Sequence, residues 1–476
     1  MILSRFHDPK LAQTSYLVAC GRAKEAIVVD PNRDAEQYVR AADSEGVRIA
    51  HIAETHIHAD FVSGARELAT RTDARLYLSA EGGPVWSYDF ASSDNAVLLY
   101  GGDHIDVGDV RLSVVHTPGH TPEHLTFLVT DRAAADEPMG ALTGDLLFVG
   151  DVGRPDLLER AAKVEGTMRE SARALFASLR RFATLPDWLQ IWPGHGAGSA
   201  CGKGISPMPH STLGYERRFN WAFAVKDEEE FVRLVLEGQP DPPAYFAEMK
   251  RVNKRGPRVL GGLPRPAHLD ASRLATRLSS GATIVDTRAT TLFAAGHIPG
   301  TINIPLNKSF STWAGSIVPY EQDLCLIIDG DVEARASEAA RDLAMIGLDC
   351  VAGYFGPEAL SAWERNGKLS TIPQIRAAEL APLVSKGEVA VIDVRNASEW
   401  QTGHIPEAPN VPLATLAERI AEIPRDRTIV VHCQSGARSA IAASVLRARG
   451  VERVVNLTGG FTEWRDAELP VVIERR

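Results

Sequence analysis

No stretch of the 476 residues is apolar for long enough to span a membrane, and the N-terminal MILSRFHDPKLAQTSYLVACG lacks the basic-then-apolar profile of a signal peptide. These absences predict a cytoplasmic chain with no membrane role. Positive charge is not in excess either. The 51 Lys and Arg against 61 Asp and Glu leave a net charge of −10, which disfavours nucleic-acid binding. Cysteine is scarce: Cys20, Cys201, Cys325, Cys350 and Cys433 are odd in number and far apart. They predict a reducing compartment without a disulfide framework, where each thiol is weighed for reactivity. A glycine-rich dinucleotide motif at a strand–helix junction is also missing, so nothing points to nicotinamide chemistry.

The length itself predicts two to four domains. Up to about residue 235, short β-rich runs such as EAIVVDP and RLSVVHTPGHT alternate with turns and amphipathic segments. DEEEFVRLVLEG reads as a helix capped by Asp227 and stopped by Gly238. The Pro-, Gly- and Lys/Arg-rich stretch from Gly238 to Pro266 reads as a solvated connector. The remainder repeats itself. IVDTRATTLFAAGHIPGTINIPL from Ile284 and VIDVRNASEWQTGHIPEAPNVPL from Val391 align Asp286 with Asp393, Arg288 with Arg395 and His297 with His404. These predict two α/β units of about 100 residues each, joined near RNGKLSTIPQ.

In the second unit, TIVVHCQSGARSAIAASVLRARG reads as a buried strand, a loop from Cys433 to Arg438, and a helix. A loop between a strand end and a helix N-terminus aims successive backbone N–H groups at one point, where the helix dipole adds positive potential. A thiol there favours its thiolate, helped by Arg438, and Gly436 lets the loop turn tightly. The matching stretch of the first unit, LCLIIDGDVEARASEAARDL, puts Asp329 and Gly330 about where His432 and Cys433 fall. Cys325 lies too early, inside the strand. That unit is expected to be structural or a docking module.

Four polar stations mark the N-terminal half: His56, His58 and Asp60 in ETHIHADF; His116, His120 and His124 in HTPGHTPEH; Asp145, Asp151 and Arg154 in TGDLLFVGDVGRPD; and His195 in WPGHG. Each follows an apolar strand-like run. They are therefore expected to meet at neighbouring strand ends as a metal site. Phe61, directly after Asp60, offers no electron pair to a metal.

Residues 373 to 476, with Asp-x-Arg, Gly-His-Ile-Pro and Cys-x-x-Gly-x-Arg-Ser from Cys433 to Ser439, resemble the rhodanese sulfurtransferases. The resemblance implies that Cys433 carries sulfane sulfur as a persulfide, with Arg438 and the loop of Gln434, Ser435, Gly436, Ala437 and Ser439 holding the anion. Residues 1 to 235 resemble the metallo-β-lactamase superfamily, whose glyoxalase II-type hydrolases carry a histidine where Phe61 stands and hold two metals. Persulfide dioxygenases of that superfamily hold one Fe(II). Their triad maps onto His56, His120 and Asp145, the two-histidine, one-carboxylate set of non-haem iron oxygenases. The resemblance makes His58, Asp60, Arg154 and His195 residues that orient ligands or contact substrate. Cys201, in GHGAGSACGKG just after His195, is a candidate for handling persulfide beside the metal pocket or else an ordinary loop thiol, and Cys20, beside Gly21 in an apolar run, is expected to be structural.

The expected architecture is α/β multidomain. An αββα metallo-β-lactamase sandwich (1–250) is followed by a rhodanese-like domain without its cysteine (265–366) and an active rhodanese domain (372–476). The expected activity is oxidation of a low-molecular-weight thiol persulfide by O2 to sulfite, coupled to a sulfurtransferase giving or using thiosulfate, with one Fe(2+) per chain. Two alternatives stand beside it: a zinc hydrolase of a glutathione thioester, and a persulfide-relay protein with a structural metal. The thiol carrier, the direction of the transfer and the oligomeric state, a homo-oligomer among the options, are left open.

Overall fold

The computed structural model describes residues 1–160 and 166–474, which form two compact units. The first comprises Met1–Leu263 with the short segment Ala344–Gly347; the second runs from Pro264 to Leu343 and onward from Leu348.

In the first unit, strands β1 (Ile2–Asp8), β2 (Gln13–Cys20), β3 (Glu25–Val29), β4 (Arg48–Ala53), β5 (Arg75–Ser79) and β6 (Val97–Leu99) form one mixed sheet in that order. A second sheet holds β7 (His104–Val107), β8 (Val110–His116), β9 (Leu125–Asp131), β10 (Gly140–Gly144), β11 (Gln190–Pro193) and β12 (Ser211–Thr212), again as sequence neighbours. Alternating residues of the two sheets, including Val18, Ile27, Val107, Leu112, Phe127 and Trp192, make one shared core. The opposite faces are covered by helices. Ala35–Glu45 and Ala65–Thr72 pack on the first sheet, Met168–Phe182 and Glu228–Leu236 on the second, which completes an αββα sandwich.

The stretch expected to be a solvated connector is partly helical. Phe246–Arg255 forms a helix that buries Phe246, Met249 and Asn253. Its Asn253 side chain donates to the carbonyls of His58 and Phe61 and accepts from the Ser63 amide, at 2.7 to 2.9 Å. The Pro/Gly composition around it hid ten residues that pin the ETHIHADF loop.

The second unit holds two parallel sheets. The strands β13 (Thr283–Asp286), β14 (Ile302–Asn303), β15 (Leu324–Ile327) and β16 (Val351–Phe355) lie in the order β14-β13-β15-β16. In the other sheet, β17 (Gln374–Ile375), β18 (Val389–Asp393), β19 (Thr428–His432) and β20 (Val454–Leu457) lie in the order β17-β20-β19-β18. The repeated motifs do the same work in both copies. Arg288 clasps Asp286 and the Gly296 carbonyl, as Arg395 clasps Asp393 and the Gly403 carbonyl. His297 and His404 stack on the aromatic ring four residues earlier, at 4.0 and 3.9 Å between ring centroids. Helix Ala437–Ala448 is buried from Ser439 to Leu446, because one face meets its own sheet while Ser444 accepts from the Asn303 amide of the other copy at 2.9 Å.

Among the described residues no helix is long and apolar enough to cross a membrane.

Candidate metal centre and cysteine loop

Strand ends gather the polar stations as their spacing predicts. The loop after β4 brings His56, the loop between β8 and β9 brings His120, and the end of β10 brings Asp145; one donor atom from each lies within 4.8 Å of the others, and all three residues are buried. Hydrogen bonds decide which nitrogens face the centre. The His120 Nδ1–H can only donate to the Arg154 carbonyl, 2.9 Å away, so Nε2 carries the lone pair. Thr55 Oγ1 donates to Asp30 Oδ2 at 2.8 Å and must therefore accept from His56 Nδ1, 2.9 Å away. That fixes the His56 lone pair on Nε2 as well. Burial holds both imidazoles below their usual pKa, which keeps them neutral. Burial also opposes charge on Asp145, but His195 and His120 outweigh it and keep this carboxylate well below the usual range. Asp145 Oδ2 lies 3.3 Å from His120 Nε2, yet it is buried without a hydrogen-bond partner. Two lone pairs and an orphaned anionic oxygen around one point fit a divalent cation.

The other histidines of these motifs are engaged elsewhere. His58 Nε2 is held by Glu54 at 3.0 Å and Asp30 at 3.2 Å, and the Phe61 ring lies tilted against its ring at 4.5 Å between centroids. Although burial disfavours its charge, those two carboxylates raise the His58 pKa well above normal. His124 sits between Thr117 Oγ1 and the Asp145 amide, and His116 donates to the Pro122 carbonyl. Asp60, His195 and Asp145 form a chain: His195 donates Nε2–H to Asp60 Oδ2 at 2.7 Å and Nδ1–H to Asp145 Oδ1 at 2.8 Å. Burial works against the imidazolium, but the two carboxylates raise its pKa to about 10. Arg154 is fully buried and engaged by Asp156 at 2.7 and 2.8 Å, so it reaches the centre through its carbonyl on His120. Cys201 is buried beside Asp60 and His195; desolvation, then the charges of Asp60 and Asp145, push its thiol pKa well up. Cys20 accepts from the amides of Ala23 and Asp109, in keeping with a structural place.

Several residues that shape this centre escaped sequence reading: Asp30, Glu54, Thr55, Asn253 and Glu123, whose carboxylate accepts from the Ile57 amide at 2.8 Å. Asp30 closes EAIVVDP at φ +53°, a left-handed backbone rare outside glycine, and carries the whole Thr55–His56 relay. Its position at a strand end was the available signal. Gly153 is required sterically, because a Cβ there would lie 1.8 Å from the Asp145 carbonyl oxygen.

The cysteine loop closes as expected between β19 and its helix. Cys433 is 1% exposed; its Sγ accepts from the Gly436 amide at 3.2 Å and faces the Ser439 hydroxyl at 3.6 Å. Gly436, at φ +98°, begins the helix. Gly460, at φ +58°, supports the loop from below, where a Cβ would come within 2.4 Å of the Cys433 carbonyl oxygen. Arg438 makes a two-pronged contact with Glu399, 2.7 Å on each side, and Gln434 bonds Thr462.

The first copy corrects the sequence alignment. In the sheet register Asp286 faces Ile327 as Asp393 faces His432. Ile328, not Gly330, therefore stands at the position of Cys433. The same displacement relates the helix starts Val332 and Ala437, which puts Glu333 at the position of Arg438. The copies are offset by 107 residues at Asp286 and Asp393 but by 105 at the strand end and helix start, so the first copy carries two extra residues between its Asp-x-Arg motif and the strand end. Cys325 lies inside β15, as its sequence position implied.

The profile of the metallo-beta-lactamase superfamily matches residues 8–195, and that of the rhodanese-like domain matches residues 270–357 and 376–467. A crystal structure of a metallo-beta-lactamase from Staphylococcus aureus subsp. aureus COL is 43% identical, with a TM-score of 0.68; the alignment covers 75% of this chain and 99% of that one. A probable metallo-hydrolase from Burkholderia pseudomallei is 27% identical over 296 residues, 56% of this chain and 95% of that protein. A sulfurtransferase from Allochromatium vinosum is 40% identical over 90 residues, 19% of this chain and 84% of that protein. The chain belongs to the metallo-beta-lactamase superfamily. It joins that metal-binding α/β fold to two rhodanese-like domains.

Proposed function

We propose that the chain is a persulfide dioxygenase fused to a sulfurtransferase. The observation that carries this reading is the donor set: two imidazoles with Nε2 lone pairs fixed by Thr55 and Arg154, one orphaned carboxylate oxygen of Asp145, and Phe61 where a further ligand would be needed. Fe(II) held by His56, His120 and Asp145 would keep open positions for a thiol persulfide and O2. His195 holds the second oxygen of Asp145 and so leaves that carboxylate a single free oxygen. Phe61 lies against the His58 ring, and Asn253 pins the backbone carbonyls of both residues.

The cysteine loop supports the same reading from a second direction. Oxidation of the outer persulfide sulfur to sulfite removes four electrons, and one O2 accepts four, so no further reductant is required. Sulfite in turn accepts sulfane sulfur from a Cys433 persulfide to give thiosulfate. In the Cys433 step, the Sγ thiolate attacks the outer sulfur of a small-thiol persulfide, the S–S bond of that donor breaks and its thiolate leaves, and the sulfur stays on Cys433 beside the Gly436 amide and Ser439 hydroxyl. We further propose residues 1–250, 265–366 and 372–476 as the three domains. A metallo-hydrolase acting on a thioester is the competing reading, motivated by the name of the B. pseudomallei relative, but it gives Cys433 no shared intermediate.

The test is iron content and O2 uptake on one anaerobically purified sample, with glutathione persulfide as the trial substrate. One iron per chain is expected, with O2 uptake lost in His120→Ala. Two zincs and no O2 uptake, with any small-thiol persulfide tried, would sink the proposal.

A further inference from the structure

Two loops that shape the triad are held by a short segment from far along the chain. The turn after β3 runs through Asp30 to Arg33, and the loop after β4 runs from Glu54 to Gly64. They are locked together: the Gly64 amide donates to the Pro31 carbonyl at 2.7 Å, and a Cβ on Gly64 would lie 2.0 Å from the Asn32 carbonyl oxygen. Both loops also bond Ala344–Gly347, which belongs to the first unit although it closes the helix Val332–Met345. The Val62 amide donates to the Met345 carbonyl at 2.7 Å. Arg33, 2% exposed, donates Nη1–H to the Ala344 carbonyl at 3.0 Å and Nη2–H to the Arg258 carbonyl at 2.7 Å. The last carbonyls of a helix lack partners within it and carry the negative end of its dipole, so a buried amide and a guanidinium suit them.

The second copy shows that this helix end is specialised. Both helices close on a glycine in the same way: the Gly347 and Leu348 amides bond the Ala344 and Leu343 carbonyls, as the Gly450 and Val451 amides bond those of Arg447 and Leu446. That matches Leu-Ala-Met-Ile-Gly-Leu from Leu343 with Leu-Arg-Ala-Arg-Gly-Val from Leu446. Ala344, Met345 and Ile346 are buried, at 0 to 1% exposure, whereas Arg447 and Ala448 are half-buried and Arg449 is exposed. A rhodanese-like helix therefore needs no apolar residues at this end for its own fold.

We propose that Ala344–Gly347 is a positioning segment of the metal centre, and that supplying it is what the copy without a cysteine does. Through Val62 the segment fixes the chain directly after Asp60 and Phe61. Through Arg33 it fixes the turn whose Asp30 carries the Thr55–His56 relay. Removing it leaves the buried Val62 amide without its acceptor, and the loop then gains by opening to water. The inference goes beyond the persulfide reading, since it concerns how the triad is held, whatever reaction the triad performs.

The test uses the full chain with Ala344→Arg and Ile346→Arg together, the residues of the second copy, and separately with Arg33→Gln. Amide hydrogen exchange over residues 54–64, followed by mass spectrometry on the metal-free chain, should speed up at least about tenfold. Zn2+, used as a probe of the triad in competition with a chelator, should bind at least about tenfold more weakly. Exchange over residues 428–440, the cysteine loop and its flanks, should stay as in the parent chain. Unchanged exchange over 54–64 in the double variant would overturn the proposal. Equal acceleration across β1 and β2 would overturn it as well, because that marks lost stability and not lost positioning. If the double variant fails to fold, Arg33→Gln decides, and unchanged exchange with unchanged Zn2+ affinity would overturn the proposal. A parent chain that takes up neither iron nor O2, with these differences intact, would count against the dioxygenase reading alone.

Discussion

The two rhodanese-like copies share a frame of motif residues and differ at most other positions, including the loop. Both clasp a buried aspartate with an arginine two residues on, both stack the Gly-His-Ile-Pro histidine on an aromatic ring, and both anchor an asparagine on the Asp-x-Arg backbone. At the loop they part. Cys433 and Arg438 correspond to Ile328 and Glu333, and Asp329 and Asp331 lie between the latter two. The repeated motifs therefore describe how the fold is held, and the chemistry is written in loop residues that the repeat does not preserve.

The largest effect should come from removing the thiol that the first copy lacks at the matching position. Cys433→Ala is expected to lower sulfur transfer at least about a thousand-fold, roughly 4 kcal/mol of barrier, with O2 uptake unaffected; both are read on the same sample. Retained transfer would mean that another thiol carries the sulfur, and the contrast between the copies would collapse.

The frame should respond alike in both copies. Asp286→Asn and Asp393→Asn each leave a buried arginine without its anion, at a cost of about 3–5 kcal/mol. Denaturant melts of the two variants should show similar losses. Markedly unequal losses would show that one copy uses the pair for more than holding the strand end to the Gly-His-Ile-Pro turn.

Much of this was legible in the sequence, for reasons that differ by site. The cysteine loop is contiguous, so six residues and their flanking strand and helix declared it. The candidate metal triad is scattered over ninety positions, yet each member follows an apolar strand, and strand ends converge in a layered α/β fold. What stayed hidden was the support. Nothing local marks Thr55 as the acceptor that fixes His56, or Asn253, almost two hundred residues on, as the clamp on Phe61. Register was the other gap: an insertion or deletion between repeat and loop moves an alignment by a residue or two, and only hydrogen-bonded partners show that Ile328 matches Cys433.

A smaller effect is expected where one copy touches the other. Ser444→Ala deletes the acceptor of the buried Asn303 amide and should cost about 1–3 kcal/mol, together with a lower transfer rate at Cys433, since Ser444 lies in the helix whose first turn frames the loop. A loss of stability with an unchanged transfer rate would make the contact purely structural.

The smallest expected effect is the sharpest use of the comparison. Ile328→Cys puts a thiol at the matching position of the first copy, on the same strand end and before the same kind of helix. It should gain no measurable sulfur transfer. A persulfide there would be an anion facing Glu333 instead of an arginine, with Asp329 and Asp331 beside it, and like charges in a partly desolvated loop disfavour the anionic form. Mass spectrometry after exposure to a small-thiol persulfide should find the added sulfur on Cys433 and none on the new thiol. If Ile328→Cys does take up sulfur, loop shape alone suffices and charge is secondary. If Ile328→Cys with Glu333→Arg takes it up and the single variant does not, charge at the position of Arg438 separates a working copy from a structural one.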